Sequence, residues 1–144
     1  MKRVLNRTAG AIAHIHETFA DARREHQRAV VLLTQADMFD PTVANPSYAD
    51  YFGFQTIVAA IAREAAAFKG QVYLFNGDSH VFHVDQPLAA GSTWLTFYGV
   101  TQPAANLTRI TVDGSSNAND YLRATVNKRG QQVLSWTKVL FTAV

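Results

Sequence analysis

Val72-Tyr73-Leu74-Phe75-Asn76-Gly77-Asp78-Ser79-His80 reads as an apolar β-strand that stops abruptly in an Asn-Gly turn, with two polar side chains directly after it. Open α/β sheets present their chemistry at the carboxyl ends of their strands, so Asp78 and His80 fall on such a rim. A second stretch behaves alike: Ala29-Val30-Val31-Leu32-Leu33-Thr34 is aliphatic and rich in β-branching, and Gln35 and Asp37 follow it. Two neighbouring strands of this kind would carry Gln35, Asp37, Asp78 and His80 to one edge, a set suited to a polyvalent cation.

Around these strands the pattern predicts helices. Up to about Gln27, Ile12, Ile15, Phe19 and Ala22 recur at helical spacing, with Glu17, Asp21, Arg24 and Arg28 on other faces. Asp40-Pro41 through Asn45-Pro46-Ser47 reads as a loop. A second helix is expected over roughly Tyr51–Phe68, its apolar stripe Phe54, Ile57, Val58, Ile61, Ala65 and Phe68, with Gly70 as its stop. Helix, strand, loop, helix and strand in this order form a crossover unit that favours neighbouring parallel strands. Beyond Asp85, Leu107–Val112, Tyr121–Asn127 and Gln132–Phe141 alternate like strands, with Asn127-Lys128-Arg129-Gly130 as a turn. This tail is expected to be an antiparallel meander.

Bulk properties narrow the function classes. A chain of 144 residues is expected to form one domain, and 48% hydrophobic with 17% charged residues gives no compositional case for disorder. A surplus of +2 with dispersed basic residues does not make the basic stripe that nucleic acid requires. Without cysteine there is neither a disulfide framework nor a thiolate metal site. Asn6, Arg7 and His14 interrupt any signal-peptide core after Met1, and no apolar run spans a bilayer, so the expectation is a soluble, cytoplasmic protein without membrane partners.

Each candidate site residue has a plainer alternative. Asp78 and His80 suit zinc, iron or manganese; alternatively Asp78 completes the turn after Asn76-Gly77 and His80 is a polar surface residue. Asp37 could ligate a cation or orient a ligand, or cap the loop before Met38-Phe39-Asp40. His83 and Asp85 share a strand face, which makes His83, with Asn76, a candidate for substrate binding, against a solvent-facing position. His14 and His16, two apart on a helix, point different ways. Ser79 lacks the second glycine of a nucleophile elbow. No glycine-rich phosphate loop or dinucleotide fingerprint occurs, and Trp94, Phe97 and Tyr98 read as core.

The runs Val30–Asp40 (VVLLTQADMFD), Val72–Pro87 (VYLFNGDSHVFHVDQP) and Asn106–Gly114 (NLTRITVDG) together resemble the C-terminal half of bacterial calcineurin-like metallophosphoesterases. The resemblance implies half of an α/β/β/α sandwich. It also implies a divalent-metal centre (Mn, Fe or Zn) that activates water against a phosphate-ester small molecule. Gly77 and His80 match the first and fourth positions of the family's Gly-His-x-His motif, Asp78 stands at the first histidine, and Gln35 takes the place of a strand-end histidine. The earlier motifs, Asp-x-His and Gly-Asn-His, do not occur upstream. The expectation is therefore a metal-dependent phosphoesterase-like protein, truncated or degenerate and either active or inactive, with metal ligands Asp78, His80, Asp37 and Gln35. The competing expectation is a non-catalytic interaction domain that self-associates, as a homodimer or larger homo-oligomer, because a half-fold leaves an unpaired sheet edge.

Overall fold

The computed structural model describes residues 2–114 and 119–141, with side chains from Arg7 onward. The chain runs α1 (Lys2–Arg24), β1 (Ala29–Leu33), a short α2 (Tyr48–Tyr51), a 3₁₀ turn (Phe52–Phe54) and α3 (Gln55–Ala67). It continues through β2 (Gln71–Asn76), β3 (His83–Asp85), α4 (Thr93–Tyr98), β4 (Leu107–Thr111), β5 (Asp120–Val126) and β6 (Leu134–Leu140). It is a mixed α/β protein with two sheets. The first has strand order β1-β2-β4-β3, and the second is the β5–β6 hairpin.

Strands β1, β2 and β4 are parallel, with Leu33 beside Phe75 and Phe75 beside Ile110, while β3 is antiparallel to β4. The parallel pairing of β1 and β2 follows the expected crossover. The expected three-stranded meander does not form: Leu107–Thr111 leaves the hairpin and inserts into the first sheet. The reason is burial on both faces. Leu107 and Ile110 are both fully buried on opposite sides of β4, the signature of an interior parallel strand rather than of a half-solvated meander.

The alternation of β2 separates two cores. Val72 and Leu74 face the helices, where Ile15, Phe19, Val58, Ile61, Ala65 and Phe68 meet them. Tyr73 and Phe75 face the hairpin, with Ile110, Leu122, Leu134 and Trp136. Helices, sheet and hairpin are thus three layers. Phe19 is fully buried with its ring edge-on to Phe68 at 5.7 Å, worth about 2–3 kcal/mol in removed apolar surface. The Tyr73 hydroxyl accepts from the Leu134 amide and donates to Gln71, and Gln71 Oε1 also accepts from the Val133 amide, which anchors the hairpin.

Helix ends follow local chemistry. α1 closes with the Gln27 amide on the Ala22 carbonyl and the His26 amide on the Arg23 carbonyl, His26 taking a left-handed φ of 54°. The expected helix over Tyr51–Phe68 starts three residues earlier, where the Ser47 hydroxyl accepts from the Asp50 amide. It is interrupted by the 3₁₀ turn around Gly53 before α3 resumes. Trp94, Phe97 and Tyr98 lie on α4 in the core, as expected, with Trp94 against Phe39 and Tyr51. Among the described residues no helix is long and apolar enough to cross a membrane.

Glu64 of α3 clamps α1. It accepts from His16 Nδ1 at 2.7 Å and pairs with Arg23 at 2.8 Å. Burial pushes the Glu64 carboxyl up, but Arg23 and His16 outweigh it and the net shift is downward. A lowered carboxyl contributes stability above its ordinary value and loses it as pH falls through the folded value. Glu64→Gln should cost about 1 kcal/mol at neutral pH, because both partners are partly exposed. In denaturant titrations the difference from the parent should vanish once the pH falls below the ordinary carboxyl range; a gap that persists there would exclude an ionic clamp.

Candidate functional site

Three parallel strands end on one rim. β1 leads to Gln35 and Asp37, β2 to Asp78, Ser79 and His80, and β4 to Asp113 and Gly114. Since β1 and β2 are in register, the segments following them emerge side by side, and the Gly77 amide donates to the Gln35 carbonyl at 3.2 Å. The Gln35 side chain then donates to Asp78 Oδ1 at 2.7 Å. The expected meeting of Gln35 with Asp78 is present.

The turn after β2 is held in an uncommon backbone shape. Asp78 and His80 have positive φ, 70° and 59°. Aspartate tolerates this region better than most residues, and histidine is enriched there among non-glycines. Both side chains are exposed. The His80 ring lies against the backbone of Gly114, where any Cβ would collide with it. Glycine at 114 is therefore what allows the histidine to sit beside the end of β4.

Asp37 belongs to a different cluster. Its Oδ1 accepts from the Phe39 amide at 3.0 Å and from Arg109 Nη1 at 3.2 Å, and its Oδ2 accepts from the Ser79 hydroxyl at 2.7 Å. It is buried, only 6% exposed, and Arg109 on β4 is 0% exposed. Arg109 also makes a two-pronged contact with Asp85 at 2.8 and 2.7 Å and donates to the Phe39 carbonyl. Asp37 thus turns from Asp78 and His80 toward a buried arginine. Its loop-capping alternative is realised in the Phe39 contact, with an ion pair added. Ser79 donates its hydroxyl to an Asp37 that Arg109 and the Phe39 amide already engage, so it reads as part of the buried polar network.

The other candidates sit around this rim. Asn76 is buried and accepts from the Thr111 hydroxyl at 3.0 Å. His83 is partly exposed on β3, its Nε2 3.5 Å from Asp85 Oδ2. Behind the rim, Asp113 accepts from the Phe82 amide and pairs with Lys138 at 2.6 Å. His14 is exposed and His16 is tied to Glu64; they form no pair. Arg109 is the residue that sequence reasoning missed. Its signal is a charged residue on the face of β4 shared by Leu107, which demands acidic partners, and Asp37 and Asp85 supply them.

Among the described residues no three histidine, aspartate or glutamate side chains stand together in a way that could hold a metal ion. With Asp37 engaged by Arg109 and Asp113 by Lys138, the described rim presents Asp78 and His80 with the Gln35 amide beside them, a donor set too short for a closed or catalytic metal site. The comparisons with family models, curated proteins and solved structures find nothing that matches the chain.

The two aspartates should separate cleanly by mutation. Asp37→Ala leaves the Arg109 charge buried with one partner fewer and should cost about 3–5 kcal/mol. Asp78→Asn keeps both exposure and tolerance of positive φ, and should stay within about 0.5 kcal/mol. Chemical denaturation of the two variants checks the order; equal losses would show that Asp37 is not the structural member.

Proposed function

We propose that this chain is a phosphoesterase-like α/β protein whose strand-end rim is one flank of a phosphate-ester site, with Asp78 and His80 as its cation-binding pair. The supporting observation is the 2.7 Å hydrogen bond from Gln35 to Asp78, made by groups that emerge from adjacent parallel strands. It points one Asp78 oxygen and leaves the other free of that contact. The exposed His80, steadied by Gly114, adds a nitrogen donor two residues on. The resemblance of the Gly77-Asp78-Ser79-His80 segment to a metallophosphoesterase motif supports the same reading, and so does a sheet covered by helices on one face and by strands on the other.

The described residues hold and orient; among them no complete hydrolytic centre is assembled. Gln35 fixes the carboxylate, Asn76 closes the end of the sheet through Thr111, and Asp37 with Ser79 stiffens the turn. A hydrolytic dication site requires three protein ligands and an open position, so no chemical step is assigned to these groups. The reading is of a reduced site with weak cation affinity, for Mn, Fe or Zn, and little or no hydrolysis by this chain alone.

Titration calorimetry with Mn²⁺ and with Zn²⁺ should give a heat of binding in the weak, submillimolar to millimolar range. His80→Ala should abolish it and Asp78→Asn should weaken it at least about tenfold, a loss of about 1.4 kcal/mol. Binding unchanged in His80→Ala would overturn the assignment of the site.

A further inference from the structure

β1 lies at the edge of the first sheet, yet it has the composition of an interior strand. It reads Ala29-Val30-Val31-Leu32-Leu33, without charge or proline, and pairs on one side only, with β2. Edge strands of stable monomers are normally blunted by lysine, proline, a bulge or a covering loop. Here Val31 is 46% and Leu33 78% exposed. The edge is also hollow on both faces. On the hairpin side a cleft of about 440 Å³ is lined by Val31, Leu33, Phe75, Leu122 and Leu134. On the helix side one of about 490 Å³ is lined by Ile15, Leu32, Met38, Phe54, Ile57 and Ile61.

From these features we infer that β1 is a docking edge, and that its occupant is β1 of a second copy of this chain, added antiparallel across a two-fold axis. An uncharged strand suits the edge, because neither of these clefts is lined by a Lys, Arg, Asp or Glu among the described residues, and the charged groups nearby, Arg28 and Lys128, flank it only toward its Ala29 end. It also has to be apolar on both faces, since an apolar cleft flanks the edge on either side. Among the described strands of this chain only β1 meets both demands: β3, β4, β5 and β6 carry charged residues, and β2 begins with Gln71 and ends with Asn76. An edge that needs such a strand and is itself such a strand is self-complementary, which is the condition for a closed two-fold interface.

Antiparallel pairing satisfies the unpaired backbone groups of both copies at once and makes one continuous eight-stranded sheet from two four-stranded ones. Standard interfaces bury about 800 Å² per partner, and a five-residue strand is only about 17 Å long. The walls of the two clefts, α1 on one side and the hairpin on the other, therefore have to contribute, and the association belongs to the reversible class.

Sedimentation velocity over a concentration series tests the proposal. The parent chain should move from monomer to dimer as concentration rises. Leu33→Lys should remain monomeric throughout, with at least about a tenfold weaker dissociation constant, equivalent to 1.4 kcal/mol, and an unchanged circular dichroism spectrum, since Leu33 is solvent-exposed. Leu140→Lys, equally exposed but on β6, should dimerise like the parent. Hydrogen exchange should show β1 amides gaining protection only at the higher concentration. A parent that stays monomeric at all concentrations overturns the proposal in favour of a strand from another polypeptide. So does a Leu33→Lys variant that still dimerises, or a dimer whose β1 amides remain unprotected.

Discussion

Arg109 is completely buried in the first sheet, and a guanidinium cannot shed its charge to suit that position. The cost of removing it from water is several kcal/mol, and only well-placed partners offset it. The fold supplies them from three places: Asp85 on β3, Asp37 in the loop after β1, and the Phe39 carbonyl. The register that sets Asp85 opposite Arg109 thereby fixes β3 on β4. The contact with Asp37 draws the loop after β1 down over the end of the sheet, where Phe39 packs among Trp94 and Tyr98. Tyr98 in turn donates to the Met38 carbonyl at 2.6 Å, and burial holds its phenol well above its ordinary range, so it stays a donor at all relevant pH.

The same charge governs the rim at one remove. Asp37 has two oxygens: one faces Arg109, and the other accepts the Ser79 hydroxyl. Ser79 stands between two residues with positive φ, Asp78 and His80, a backbone course that costs free energy and persists only where neighbours over-determine it. Three contacts do so here: Ser79 on Asp37, Gln35 on Asp78, and the His80 ring on Gly114. The turn that carries the exposed pair is therefore tied, through Ser79, to the buried Asp37. That separates Asp37, which builds the rim, from Asp78, which is displayed on it.

Much of this was legible in the sequence, and the parts that were not share a cause. Helices α1 and α3 follow from local periodicity and strands β1 and β2 from their apolar runs, but β1, which reads as a buried strand, lies at the sheet edge with Val31 and Leu33 exposed. The carboxyl-end meeting of Gln35 and Asp78 follows from the parallel crossover. β4 reads as a meander strand because Leu107-Thr108-Arg109-Ile110-Thr111 mimics the alternation of a half-exposed strand; its arginine and threonines look solvent-facing, yet Arg109 and Thr111 are fully buried. Only knowledge of the partners turns that pattern round, and Asp85 and Asp37 lie 24 and 72 residues away. The sequence puts Asp37 at the right strand end and beside the wrong neighbours for one reason. Its loop position is local information, and its pairing with Arg109 is not.

Coverage of the sheet is uneven, and the unevenness has a physical origin. Two long helices and α4 close the helix-side face, where a single cluster runs from Ile15 to Leu107. The other face has only two strands to cover it. Trp136 and Leu134 reach Tyr73 and Ile110 at the centre, and the Tyr73 and Gln71 hydrogen bonds hold the hairpin there. Nothing of that width is left for Val31 and Leu33. Parallel strands are stable when both faces are buried, so β2 and β4, enclosed between neighbours, carry the rigidity that the rim needs. β1 supplies Gln35 to that rim while its own outer side stays open. The strand that delivers the orienting amide is thus the least enclosed strand of the parallel set.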